Sequence, residues 1–427
     1  MVVRPIPMTE LDAVILADDP RADVRIAGLS ARERAIRVAK RVGATQVQIV
    51  DGARDVIRPH AERVLVIRAD QLVHTPLVAP LVEASHDGLS IAVGPDGTYA
   101  GAFLATGDAA ADALARLARG EPDEAIAGGA AHRVPHGEVA RHAIGTPEER
   151  RAAHRLLLRI LNKQQDNAVT RYLYRPISRP LTKLLVWTPI TPNQISYFVG
   201  LLVIIGCWLT AHASMNMVIA GTATILAATY IDCCDGEIAR LKLLSSRFGA
   251  WLDTVVDEFS SVGYMIAIGW HCHQAFGPRY FGDLGFDPWS VGIALGIVTY
   301  LWAIYCVYYN IIFAVGSANS QDYVARFEVV PADRPNTVRL RPVVATAREL
   351  PPWLATLGTW LLYLVRRDLI AWGSLAFAVS HQTHLAFGFL VLGGTVSAFV
   401  LSIDHLRLRS LRRSIVRAGQ ILESPSG

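Results

Sequence analysis

Hydrophobic and polar positions alternate in two different ways along this chain. Up to about residue 150, short apolar runs rich in Val and Ile are separated by charged stretches of helical period, at 12–17, 30–41, 46–50, 63–68, 75–84, 99–106 and 108–119. Runs of that length followed by helices predict a layered βαβ domain. After about residue 190 the apolar runs become long, at about 193–212, 216–235, 250–271, 288–313, 360–380 and 384–404. All but the fifth have roughly the 20 residues a bilayer crossing needs, and the fifth is interrupted by Arg366, Arg367 and Asp368. Between the two regions lies a basic, helical connector, with Arg150, Arg155, Arg171 and Lys183 along it and Leu156, Leu157, Ile160 and Leu161 on one face. That face is expected to lie at least partly along a membrane surface. A plain interdomain helix with a solvated face is the alternative.

The spread of Lys and Arg orients the spans. The connector, the 237–248 loop, the 314–352 loop and the tail are basic, whereas the loops at 212–216, 272–287 and 381–384 hold almost none. By the positive-inside rule both termini are expected in the cytoplasm, in a multi-pass protein of the cell inner membrane. Composition agrees: of 427 residues, 52% are hydrophobic and the mean hydropathy is +0.31. The net charge of +4 is modest. Its cations gather beside apolar runs, which favours membrane lipids and phosphates over nucleic acid. Cys207, Cys233, Cys234, Cys272 and Cys306 show neither zinc spacing nor a disulfide framework. His271 and His273 are read as interfacial histidines rather than a metal pair.

One stretch combines acids with small residues: Asp232, Asp235, Gly236, Ala239, Arg240, Gly249, Asp253 and Asp257. Spacings of three and four place each pair of acids on one helix face. Carboxylates in apolar helices cost roughly 2.5–3.5 kcal/mol each at the bilayer centre, and hard divalent cations are the natural compensation. Glycine lets a ligand approach the backbone, and an arginine grips a diphosphate with two parallel hydrogen bonds. Four acids serving only as a solvated loop and helix caps would leave Gly236, Ala239 and Arg240 unexplained. Glu237 and Glu258 fall outside the pattern and are read as flanking it or as supporting it from behind.

This pattern resembles the signature of the CDP-alcohol phosphotransferases, membrane enzymes that transfer a phospho-alcohol group from a CDP-alcohol to an acceptor hydroxyl and release CMP. Every fixed position is present. The resemblance implies that Asp232, Asp235 and Asp253 bind two divalent ions, Mg2+ or Mn2+, with Asp257 adding to the metal site and serving as general base. It implies that Asp232, Gly236, Ala239, Arg240 and Gly249 line the cytidine diphosphate site, Gly249 also letting a helix approach closely, and that the protein is a homodimer. Thr191, Pro192 and Asn193 look like the family's entry into its first span, though a capped helix start accounts for them too. Arg366 and Arg367 are expected to hold an acceptor phosphate, or else to form a structural ion pair. CDP-inositol or a CDP-activated lipid joined to an inositol phosphate is the favoured reaction, with a CDP-diacylglycerol phospholipid synthase close behind. A transporter or scaffold is the reading from another class, and it predicts polar residues spread over several spans.

The first half resembles fusions of an inositol-phosphate cytidylyltransferase to a di-inositol-phosphate-phosphate synthase. Residues 13–17 look like the first strand of a nucleotidyltransferase, 66–70 like its metal-bearing strand end, and 145–148 like the fusion junction. This implies a Rossmann-type three-layer α/β domain at 1–149, a connector at 150–190, an all-α six-transmembrane-helix domain at 191–410 and a tail at 411–427. Where such an enzyme cradles a triphosphate on glycine amides, this chain has Asp18-Asp19-Pro20, and Gly145 stands where a second acidic ligand is expected. Asp70 is then read as a strand-end cap. The domain is expected to keep its fold without CTP chemistry; a bifunctional enzyme is the alternative.

Overall fold

The computed structural model describes residues 10–52, 62–84, 86–161, 169–316, 322–332, 334, 336–343 and 367–423. It divides into two compact units, Met1–Ile195 with Asp232–Ala250, and Ser196–Ile231 with Trp251–Gly427.

The first unit is built on ten strands: β1 (Leu11–Leu16), β2 (Arg25–Ile26), β3 (Leu29–Ser30), β4 (Ala44–Val50), β5 (Arg63–Arg68), β6 (Gln71–Val73), β7 (Leu89–Val93), β8 (Tyr99–Thr106), β9 (His132–Pro135) and β10 (Arg141–Ala143). Six form a sheet in the order β4-β1-β5-β8-β7-β9. β1 runs parallel to β4 and β5, whereas β8 is antiparallel to β5 and β7. Helices cover both faces, so β1 is buried along its whole length, as a strand read from a continuous apolar run should be. On one face Ala13, Ile15 and Leu65 meet Ala35 and Val38 of α1 (Ala31–Arg41) and Leu81 of α2 (Ala79–Ala84). On the other, Val14, Val66 and Phe103 meet Ala113 and Leu117 of α3 (Asp108–Ala118) and Ile126 of α4 (Asp123–Ala127).

The connector starts with α5 (Pro147–Leu158). Thr146 caps it: its hydroxyl accepts from the Glu149 amide and the Glu149 carboxylate accepts from the Thr146 amide. Ala153, Leu157 and Leu161 are buried against Ile26, Ala31, Leu72 and Ile144, with Leu156 and Ile160 packed beside them. The face expected to lie on a membrane therefore packs inside this unit, because β2, β3 and β10 leave an apolar surface to cover. Next comes α6 (Arg175–Leu185), which buries Arg175, Ser178 and Thr182 and leaves Ile177 and Leu184 exposed.

The remaining helices are α7 (Pro192–Thr210), α8 (Met215–Leu241), α9 (Arg247–Phe276), α10 (Pro288–Asn310), α11 (Arg367–Val379) and α12 (Thr383–Arg417). Among the described residues four helices are long and apolar enough to cross a membrane: α7, α8, α10 with its following turn to Val315, and α12. α9 carries Asp253, Asp257 and Glu258 near one end and His271, His273 and Gln274 near the other, and the apolar part of α11 is short. In the second unit, a Cβ on Gly221 of α8 would lie 2.6 Å from the Gly206 carbonyl of α7, so small residues let these backbones touch. His271 is buried, its ring bonded to the His212 carbonyl and the Thr383 hydroxyl, while His273 pairs with Asp287. Both histidines are thus held by protein partners.

α12 runs unbroken to Arg417, past the expected domain end at 410, so its arginines sit on helical turns. The 314–352 loop contains a hairpin, β11 (Phe327–Pro331) and β12 (Thr337–Pro342), and β12 pairs in parallel with β13 (Ile421–Leu422).

Candidate active site

The acids sit on the facing ends of a helical hairpin, Asp232 and Asp235 on α8, Asp253 and Asp257 on α9. Asp232, Asp235 and Asp253 each present one carboxylate oxygen, all within 4.8 Å of one another. Asp235 is buried and the other two are half-buried. Asp257 is not in this group of three. Pairs of like charges at such a distance repel by roughly 3–4 kcal/mol at an effective dielectric near 20. A cation is the simplest relief, and an all-carboxylate donor set suits a hard one such as Mg2+ or Mn2+.

The small residues leave room beside the acids. An ideal Cβ on Gly236 would meet, among the described residues, only the Arg240 guanidinium, at 3.5 Å. On Gly249 it would lie 3.0 Å from Asn193 Oδ1 and 3.1 Å from Ser246 Oγ. Gly249 thus brings Asn193, from the start of α7, against the signature. That helix start is itself capped, Thr191 and Gln194 exchanging amide and side-chain hydrogen bonds.

Glu237 is no flanking surface acid. It is fully buried, paired with Arg175, and accepts from Thr182 Oγ1 at 2.5 Å and Ser178 Oγ at 3.2 Å. α6 is therefore clasped to the turn of α8 that carries Asp235 and Gly236.

α8 ends in a Schellman arrangement: the Leu244 amide donates to the Ala239 carbonyl at 2.8 Å and the Leu243 amide to the Arg240 carbonyl at 3.4 Å. The residue in the left-handed conformation is Leu243, at φ +53°. Glycine is usual there, and an L side chain costs about 1–2 kcal/mol. Leu243 is nevertheless held, buried in the same apolar cluster as Ile15 and Val38. Next to it, the Lys242 ammonium donates to the Thr188 and Ile190 carbonyls at 2.6 and 3.1 Å, and the Lys242 carbonyl accepts from Arg37 Nη1 at 2.7 Å.

Of the residues expected to meet an acceptor phosphate, Arg366 lies outside the described residues, as does the side chain of Arg367. Arg409, Arg412, Arg413 and Arg417 of α12 line a cavity of about 430 Å³ with Tyr309, whose hydroxyl accepts from Arg412 Nη1 at 2.7 Å. Sequence reasoning used these arginines only to orient the chain. Their spacing of three and four on one helix face was the signal for a shared site.

In the α/β fold a cavity of about 400 Å³ is lined by Arg21, Arg68, Asp70, Tyr99, Arg141 and His142, among others. Asp70, just past the end of β5, does not stand alone: Arg68 pairs with it at 2.6 Å and Arg21 at 3.2 Å. Asp19 accepts from the Arg21 amide and guanidinium, and these bonds hold its carboxyl down at about 2. The Asp18-Asp19-Pro20 loop thus closes on its own side chains, with Pro20 opening a short 3-10 turn.

Residues 189–330 match the family model described as CDP-alcohol phosphatidyltransferase. The chain is 33% identical over 128 residues to the bifunctional IPC transferase and DIPP synthase of Thermococcus kodakarensis, covering 30% of this chain and 28% of that protein. It is 28% identical over 156 residues to the protein of the same name from Aquifex aeolicus, covering 36% and 33%. With the archaetidylinositol phosphate synthase of Pyrococcus horikoshii it shares 35% identity over 102 residues, 22% of this chain and 50% of that one. The aligned part is thus a third or less of the first two relatives' length.

Proposed function

We propose that this chain, with its CDP-alcohol phosphatidyltransferase match over residues 189–330, is an integral membrane phosphotransferase that moves a phospho-alcohol group from a CDP-alcohol to an acceptor alcohol and releases CMP. The observation that carries the reading is the convergence of Asp232, Asp235 and Asp253 within 4.8 Å, inside a pattern that also supplies Gly236 and Arg240. Two of the relatives' names, archaetidylinositol phosphate synthase and IPC transferase with DIPP synthase, favour an inositol-type reaction.

In the mechanism Asp232, Asp235 and Asp253 would hold divalent ions, of which two are expected. When bound, these would neutralise charge on the donor diphosphate and on departing CMP. Arg240 grips the diphosphate, and the bare Cα of Gly236 lets it come close to the helix. Asp257, one turn beyond Asp253, takes the proton of the acceptor hydroxyl. The acceptor oxygen bonds to the phosphorus that carries the donor alcohol as the bond from that phosphorus to the CMP oxygen breaks. Direct attack needs no nucleophilic side chain, and the pattern fixes none. A phosphate on the acceptor would be held by Arg366 and Arg367 or by the arginine-lined cavity on α12.

Six spans, cytoplasmic termini and active site, and a homodimer complete the proposal, as does a Rossmann-type ancestry for the mixed sheet. The N-terminal fold contributes no CTP chemistry in this reading, since Asp70 is neutralised by two arginines. Incubating the purified protein with a panel of CDP-alcohols, with Mg2+ and with excess EDTA, tests it. CMP should appear with at least one donor and only with the metal. No CMP from any donor, or release unaffected by EDTA, would contradict it.

A further inference from the structure

The cap of α8 has a residue that the cap itself does not select. A Schellman end is best served by glycine at the left-handed position, yet Leu243 stands there with its side chain in the sheet-and-α1 core of the N-terminal fold. The carbonyls closed by this cap belong to Ala239 and Arg240, both in the acidic pattern. On either side of Leu243 the same attachment continues. Leu241 is fully buried with Ile26, Ala31 and Val186, and Arg37 of α1 donates to the Lys242 carbonyl. Lys242 in turn holds the Thr188 and Ile190 carbonyls just before α7. Gly28 is pressed so tightly against this junction that a Cβ would fall 1.9 Å from the Val186 carbonyl.

We infer that the N-terminal fold acts as the positioning clamp of the α8–α9 turn, through Leu243 as anchor and Arg37 as tether, and so fixes the end of α8 that presents Asp232 and Asp235. This rests on reading the three aspartates as a metal site. Strain at a backbone position persists only where the surroundings hold it, and here they do so at the end of the helix that presents two of the ligands. A shift of about 1 Å in such a constellation costs on the order of a hundredfold in rate. Leu243, Lys242 and Arg37 touch neither substrate nor metal in this account; they are positioning residues.

Leu243→Gly separates anchorage from capping, because glycine satisfies the cap and removes only the side chain in the core. In the full-length protein, Mn2+ titration followed by electron paramagnetic resonance should show affinity weakened about tenfold, as for residues that orient metal ligands. Amide exchange at Leu244, bonded to the Ala239 carbonyl, should accelerate by about tenfold or more, while Leu243→Met stays near wild type. Should Leu243→Gly not yield folded protein, Arg37→Ala is expected to shift both readouts the same way, with partial rescue by Arg37→Lys. Wild-type Mn2+ affinity and exchange in these variants would overturn the clamp. Wild-type protein that binds Mn2+ but releases no CMP would instead sink the phosphotransfer reading, with the clamp still judged by the Mn2+ comparison. Were the wild type to bind no Mn2+, the metal reading would fall, and exchange at Leu244 would decide the clamp.

Discussion

Glu237 and Asp235 are two residues apart on α8 and both buried, yet they call for opposite partners. Glu237 has its own: Arg175, Ser178 and Thr182 satisfy it. Changing Glu237 to Gln removes the carboxylate that the buried Arg175 guanidinium pairs with and should destabilise the fold by about 3–5 kcal/mol. Chemical unfolding of Glu237→Gln should therefore show a large loss, mostly recovered in the double variant with Arg175→Met. An unchanged midpoint in the single variant would mean the pair carries no weight. Asp235 clusters with two other acids, so Asp235→Asn should abolish any stabilisation by Mg2+. The acidic pattern was legible in the sequence because its spacing lies within two consecutive helices. Glu237 was not, since its ion-pair partner is 62 residues away and no local rule links them.

Elements show the same division. β1, β4, β5 and β8 were legible as apolar runs of strand length, whereas β7 and β9 were passed over; β9, with His132 and Arg133, has no alternation to reveal it. The apolar face of α5 was seen but assigned to lipid, because periodicity reports a buried face without saying what buries it. α12 offers an untested choice. If its arginine-lined cavity takes the acceptor phosphate, Arg409→Ala and Arg413→Ala should raise the acceptor KM at least about tenfold and leave the donor KM nearly unchanged. Should Arg366→Ala and Arg367→Ala produce that split instead, the cavity is not the acceptor site. Steady-state CMP release with each substrate varied in turn distinguishes them.

Across the whole chain, a mixed-sheet α/β fold precedes a helical region with four candidate membrane spans, and the two are given different work. The Asp18-Asp19-Pro20 loop closes on itself and Asp70 is held by Arg21 and Arg68, so the full-length protein should release no pyrophosphate from CTP and an inositol phosphate. CTP-dependent pyrophosphate release would make it bifunctional and reassign the cavity lined by Arg21, Arg68 and Asp70. What the sequence could not convey is that this fold embraces the end of α8, because Leu243 in a left-handed cap and the Arg37 tether appear only once distant segments are packed. The central claim is that Asp232, Asp235 and Asp253 form one metal-dependent transfer site. The most direct measurement is the rate of CMP release from an active CDP-alcohol donor with saturating Mg2+, compared between wild type and Asp253→Asn at equal amounts of folded protein. A loss of at least about a hundredfold is the result predicted, and wild-type turnover by Asp253→Asn would contradict it.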